Sequence, residues 1–372
     1  MKNCLLLLIL ITIFSCNENS ENHFNNEKTK TLVYLEKKME QEGIPGLQVV
    51  VVKNKEVILS ENLGLANVPF SVDVNENTIF SINSIAKVFA STAILQLEEQ
   101  NKLSLSDSIS QHIPGLPSKW NSITIKQLLS HTSGLPGIED TNEENKLVGS
   151  GSQESAWETV QKMPLQFEIG KDFSYNATNY LLIQKIIEKY SEVPFEESIR
   201  INQFDVAGMK QVFYGNSFDV VKNKSPTYVF YYLDETTGEY VKGDDLIEAH
   251  EEFPTSFRAD AGVFTTANEM AKWIIALQNG ELLQKESIDK MWTPVKLDNG
   301  EYWDFDGILN AYALGWPVIK RENHSGVSAF GGGRASVSIY PDDNLAIILF
   351  TNLSGVYTYE MVDNIAGFYF KN

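Results

Sequence analysis

The chain has 372 residues, 43% hydrophobic, 11% aromatic and 21% charged, a mixture that excludes disordered, collagen-like and coiled-coil classes. Its formal net charge of -19 at pH 7 argues against nucleic-acid binding, which needs a basic face to neutralise phosphates. Both cysteines fall within the first 16 residues, so the chain beyond them can hold no disulfide framework, cysteine zinc site or catalytic thiol.

Residues 1–15 read as a signal peptide. Lys2 supplies a positive start, and the apolar run 5–14 is about half the roughly 20 residues that a spanning helix needs. Ile13-Phe14-Ser15-Cys16 resembles a bacterial lipobox, in which Cys16 would carry the lipid and hold the protein at the periplasmic face of a membrane. Cleavage as a plain secretory signal is the alternative, and either route exports the protein. Residues 16–30, rich in Asn and Glu, read as a polar tether, and residues 31–372 as one domain.

Within that domain, the β-branched run 47–52, the turn Lys53-Asn54-Lys55 and the run 57–59 predict a hairpin. Residues 84–97 predict a helix that is apolar on nearly every side and therefore buried. From 103 to about 252 the pattern is mainly helical and loop-rich, with helices over 125–129 and 180–190. Tyr228, Phe230, Tyr231 and Tyr232 read as an aromatic strand facing the core, or as a substrate groove. Thr266 and Glu269 form a capping-box pattern ahead of an amphipathic stretch to residue 277. Strands over 335–340 and 345–351 and a helix over 359–370 close the chain. The expected fold class is α/β of the α+β type. An antiparallel sheet from about 31–90 and 258–372 is flanked by helices, with a mainly helical insertion over 91–257.

No metal or cofactor is expected. The five histidines are scattered without ligand spacing, and His250, in an acidic run, reads as a solvated surface residue. Gly331-Gly332-Gly333 reads as a turn. The pattern Ser-x-x-Lys occurs twice. Ser287 and Lys290 stand among charged residues, as on a solvated helix, whereas Ser84 and Lys87 stand among Ile85, Ala86, Val88, Phe89 and Ala90. Residues three apart share a helix face, so Ser84 and Lys87 can meet. Burial lowers a lysine pKa, and a depressed lysine beside a serine can act as the base that makes it nucleophilic. A helix N-terminus at Ser84 also turns its own N–H toward a developing oxyanion. By itself the tetrad reads better as an N-cap serine with a snorkelling lysine.

The stretch 46–114, with Thr78-Ile79-Phe80-Ser81-Ile82-Asn83-Ser84-Ile85-Ala86-Lys87, resembles the serine β-lactamase-like hydrolases. Matches continue in order at residues 125–135, 208–210, 262–267, 314–316 and 324–326, so the resemblance spans about residue 32 to the C-terminus. It points to the branch holding class C β-lactamases, D-Ala-D-Ala carboxypeptidases, esterases and D-aminopeptidases, with a β-lactamase/transpeptidase-like fold. The resemblance implies that Ser84 is the nucleophile and Lys87 its lysine. It also implies that Tyr175 shuttles the proton. Where the family's second motif reads Tyr-x-Asn, this chain reads Tyr175-Asn176-Ala177, so Asn176, or else Asn179, becomes the candidate substrate contact. His324-Ser325-Gly326 takes the place of the Lys-Thr-Gly motif, with His324 as the catalytic cation and Ser325 and Gly326 against the substrate. Ser84 and Val327 then supply the oxyanion N–H groups. Histidine is cationic only below about pH 6.5, which fits peptidase and esterase relatives better than penicillinases. The expected function is an exported serine hydrolase acting through an acyl-enzyme on D-amino-acid peptides or small esters, with β-lactams last. A non-catalytic cell-wall or ligand-binding module on the same fold is the alternative. The expected partners are a small-molecule or peptide substrate and a lipid anchor.

Overall fold

The computed structural model describes residues 15–140 and 153–370, apart from 235, 239 and 306. The signal peptide lies outside these residues, except for its last position. The stretch expected as a tether, 16–30, instead belongs to helix α1 (Ser15–Glu42). Thr31 and Leu35, four apart and so on one face, are fully buried there, and the Thr31 hydroxyl meets the Tyr369 hydroxyl at 3.1 Å. The described side chains of this helix thus present one docked face, carrying Glu27, Thr31 and Leu35. Among the described residues no helix is long and apolar enough to cross a membrane.

Chain order then runs β1 (Gly46–Lys53), β2 (Glu56–Asn67), β3 (Val72–Asp73), β4 (Phe80–Ser81) and α2 (Ala86–Glu99). The middle of the chain carries α3 (Ile125–Leu129), α4 (Gln153–Lys162), α5 (Ala177–Ser191), α6 (Phe195–Ile199), β5 (Val212–Tyr214) and the hairpin β6 (Thr227–Leu233) with β7 (Tyr240–Ala249). The last part holds β8 (Val263–Thr265), α7 (Ala267–Gln278), α8 (Lys285–Trp292), β9 (Ala311–Tyr312), β10 (Pro317–Ile319), β11 (Gly326–Gly331), β12 (Ala335–Tyr340), β13 (Leu345–Thr351) and α9 (Thr358–Tyr369).

The main sheet has eight strands in the order β3-β2-β1-β13-β12-β11-β10-β9, all paired antiparallel. The central strands are apolar without alternation because both faces are covered. Val50 and Val52 join the core that contains α2, α5 and α7, while Val49 and Val51 join the core beneath α1 and α9. Strand β13 alternates likewise, with Ile348 and Phe350 on the first side and Ile347 and Leu349 on the second.

The region expected as a helical insertion also holds strands. β5 completes a three-stranded sheet with β4 and β8, and β6–β7 form a separate two-stranded ribbon. Of the four aromatic residues expected to face the core, Tyr228 is buried, but Tyr231 and Tyr232 are 43% and 47% exposed. A two-stranded ribbon has no second layer to cover its outer residues, whereas Tyr228 bridges back to Leu353.

Candidate active site

The site forms where α2 meets the inner face of the sheet. A 3₁₀ turn over Asn83–Ile85 leads into α2, and the burial of Ile85 through Leu95 fixes that turn against the core. Asn83 adopts φ +42°, a left-handed conformation that Asn tolerates better than most residues, and so sets the angle at which Ser84 leaves β4.

Lys87 is 1% exposed. Its ammonium donates to Ser84 Oγ at 3.3 Å and to the Asp260 carbonyl at 3.2 Å, and pairs with Asp260 Oδ1 at 2.6 Å. Three oxygens surround a group that has three protons to give only when charged. Burial alone would lower the Lys87 pKa, but Asp260 and Tyr175 outweigh it and hold the lysine above its ordinary value. The depressed lysine expected from the apolar sequence context is therefore corrected. The counter-charge comes from the turn before β8, and nothing in the local pattern around residue 87 announces it. Asp260 escaped sequence reasoning because its relation to Lys87 spans 173 positions.

Tyr175 lies just before α5, with Lys87 Nζ 4.5 Å from its ring centroid. Its side chain is 42% exposed toward solvent, while its hydroxyl end interacts with Lys87 and Ser84. Desolvation of that end pushes the phenol up, and the Lys87 charge pulls it part of the way back. Beneath Tyr175 lies His131, fully buried, with ring centroids 4.4 Å apart. Its Nδ1 accepts from Asn179 Nδ2 at 3.1 Å, which leaves the proton on Nε2. Burial first, then the Lys87 charge, keeps this imidazole well below its ordinary value and so neutral. His131 supports the tyrosine as a flat, uncharged base.

Asn176 is buried and does not face the cleft. Its side chain caps α5, accepting from the Asn179 N–H at 3.4 Å and donating to the Leu135 and Ser174 carbonyls. The substrate-contact reading of Asn176 is corrected accordingly, since its polar atoms are already used. Ala177 offers no polar side-chain atom, and its N–H donates to the Glu139 carboxylate at 3.1 Å.

The third motif also needs correction. A Cβ at Gly331 would stand 2.0 Å from the Ile82 carbonyl oxygen and 2.8 Å from Ser84 N, so it is the Gly331 end of β11 that abuts the nucleophile. At about 3.3 Å per residue, Val327 lies ~13 Å and Gly326 ~17 Å back along the strand. His324 lies further still, pairing with Asp343 at 2.9 Å and stacking on Phe370 at 4.0 Å. Ser325 Oγ donates to the Arg321 carbonyl at 2.5 Å in the turn before β11. His324, Ser325, Gly326 and Val327 therefore lie at the wrong end of the strand for the chemistry. The triplet Gly331-Gly332-Gly333 stands in their place. Sequence reading passed over it as a turn, although a glycine run between two strands is also the signal of a close backbone approach.

A cleft of about 440 Å³ opens over Tyr175 and Asp260, walled by Ala177, Glu139, Glu251 and Phe253. One wall is pinned from behind by the buried Arg334, which donates to Glu251 Oε2 at 2.5 Å and to Asn83 Oδ1 at 2.8 Å.

Fold and site together define a protein with a serine β-lactamase-like architecture. The Beta-lactamase family model matches residues 34–368, and the chain belongs to that family. It is 25% identical over 348 residues to "Protein flp" of Staphylococcus aureus (strain MRSA252), covering 92% of this chain and 66% of that protein. The chain thus spans just under two thirds of that relative's length. It superposes on the D-amino acid amidase from Ochrobactrum anthropi SV3 with a TM-score of 0.77 and 19% identity, covering 93% and 98% of the two chains. The corresponding values for "EstCE1, a hydrolase with promiscuous acyltransferase activity" are 0.75, 17%, 93% and 99%.

Proposed function

We propose that this protein is an exported serine hydrolase that cleaves esters or amides through an acyl-enzyme on Ser84. The observation that carries the reading is the meeting of Ser84 Oγ with Lys87 Nζ at 3.3 Å and with the Tyr175 hydroxyl, Tyr175 itself lining the cleft. Once the Lys87–Tyr175 pair has lost one proton, it can accept another from Ser84 Oγ. The Oγ–C bond forms, the carbonyl oxygen becomes an oxyanion, and the Ser84 N–H with the Gly332 N–H holds that charge. Collapse breaks the bond to the leaving group, which takes the proton from the pair. Water then gives a proton to the pair and attacks the acyl carbon, and Ser84 Oγ recovers its proton as the acid departs.

The cleft favours substrates without a carboxylate beside the scissile bond. With Gly331 as the motif glycine, the position two residues earlier, where the family's Lys-Thr-Gly carries its cation, falls on Ala329. Glu139, Glu251, Glu252 and Asp260 line the cleft, and with Arg334 and Lys87 offsetting Glu251 and Asp260 an anionic penicillin or peptide C-terminus meets a partial repulsion. Small esters and D-amino-acid amides or peptides with a free amine fit better, in keeping with an amidase and a hydrolase among the proteins of this fold. Export through residues 1–15, with lipid on Cys16, belongs to the same proposal.

A nitrophenyl acetate or butyrate assay, together with fluorophosphonate labelling read by mass spectrometry, tests the reading. An adduct on Ser84, with turnover abolished in Ser84→Ala, is the expected result. Ester turnover that survives in Ser84→Ala refutes it. Ala177 motivates the second reading, a non-catalytic ligand-binding module, which would show an adduct without repeated turnover.

A further inference from the structure

We propose that Asp260 is the residue that positions Lys87 for proton transfer and that its charge sets the pH at which the enzyme switches on. The inference rests on the hydrolase reading above and deepens it. Asp260 reaches Lys87 twice, through its carboxylate at 2.6 Å and its carbonyl at 3.2 Å, so one residue grips two of the three ammonium protons. The third points to Ser84 Oγ at 3.3 Å. The grip orients the amine along the line to the nucleophile, and the carboxylate, 17% exposed, also lines the cleft.

The groups around Lys87 leave Asp260 as the charge that matters. Tyr175, just before α5, and Tyr180, in its first turn, face it at 4.5 and 5.3 Å from ring centroid to Nζ, and both phenols are pushed up by burial. Tyr312 of β9 lies beyond them, likewise pushed up, and His131 from the segment after α3 is neutral. These rings carry no charge at neutral pH, so the Asp260 carboxylate is the largest single influence holding the ammonium against the cost of burial, with the Tyr175 hydroxyl second.

At rest the pair is a lysine ammonium and a tyrosine phenol, and Ser84 Oγ accepts a hydrogen bond where catalysis needs it to donate one. The reactive form holds one proton fewer, lost to solvent through the cleft. Its population rises about tenfold per pH unit until the apparent pKa of the pair is passed. Asp260→Asn keeps the shape and an oxygen acceptor but removes the charge. Burial then dominates, and Lys87 surrenders its proton at lower pH.

The experiment is the pH dependence of kcat/KM for a neutral nitrophenyl ester between pH 6 and 10, with Ser84→Ala as the blank. The wild type should climb about tenfold per unit across pH 7 to 9. Asp260→Asn should bend to a plateau at least one unit earlier, and Asp260→Glu should return the wild-type slope. A merely structural role would lower the rate at every pH and leave the shape unchanged. Superimposable profiles after scaling, in variants with wild-type circular dichroism, overturn the proposal while the hydrolase reading stands. A wild type with no Ser84 adduct and no esterase activity sinks both. Should Asp260→Asn not fold, the Lys87 Cε carbon resonance in the wild type, assigned with Lys87→Arg, gives the answer. Lys87 charged up to pH 10 supports the proposal, and titration near neutrality overturns it.

Discussion

The sharpest test of the site geometry is Gly331→Ala. An alanine methyl would stand 2.0 Å from the Ile82 carbonyl oxygen and 2.8 Å from Ser84 N. Even weak carbon–oxygen contacts sit near 3.3 Å, so the strand and the nucleophile turn must part by about 1.3 Å. The backbone of Gly331 is not among the positive-φ glycines, so the cost is steric and not conformational. Moving reacting groups by about 1 Å costs on the order of 10² in rate, and losing an oxyanion donor costs about 10²–10³, or ~2.7–4 kcal/mol. We expect kcat for nitrophenyl butyrate to fall by about 10²–10³, with fluorophosphonate labelling slowed in proportion. Gly326→Ala is the control. It lies in the same strand as Gly331 but far from Ser84, and its methyl would stand 2.6 Å from the Ile339 carbonyl oxygen of the neighbouring β12. It should lower Tm by an overpacking cost of about 1–3 kcal/mol and spare turnover in the molecules that fold. A Gly331→Ala enzyme within threefold of wild type would refute the assignment of this strand end to the oxyanion site.

His324→Asn should keep kcat/KM within about twofold, because the residue tolerates its left-handed backbone and touches no reacting atom. The loss of stacking on Phe370 should cost about 1 kcal/mol by thermal unfolding, and a hundredfold fall in activity would restore its catalytic reading. Asn176→Ala removes the cap of α5 and should cost about 1–2 kcal/mol in denaturant titration. Unchanged stability with a large rise in KM would instead mark Asn176 as a substrate contact.

The pH argument has a counterpart in stability. Lys87 is held above its ordinary value in the fold, so its pairing with Asp260 contributes fully below the lysine range and is lost as pH rises through the folded value. Gains in activity on the alkaline side are therefore expected to come with a loosening of the same contact.

Much of this protein was legible in its residues. The apolar strands 47–52 and 345–351 announced themselves because a strand buried on both faces cannot afford polar positions. The Ser84–Lys87 pair was legible because helix geometry makes a spacing of three a contact. The capping box at Thr266 was equally local, with Glu269 N donating to Thr266 Oγ1 at 3.1 Å. What the sequence could not determine were contacts joining distant segments. His324-Ser325-Gly326 looked like the third motif, yet the register of β11 against β12 and its approach to the Ser84 turn bring Gly331 there instead. Asn176 looked available, but the fold spends its amide on a helix cap. Lys87 looked like a depressed base, and only the fold shows Asp260 beside it. A buried charge is decided by whichever group tertiary packing places within 3 Å of it, and that information is held by no single stretch of the chain.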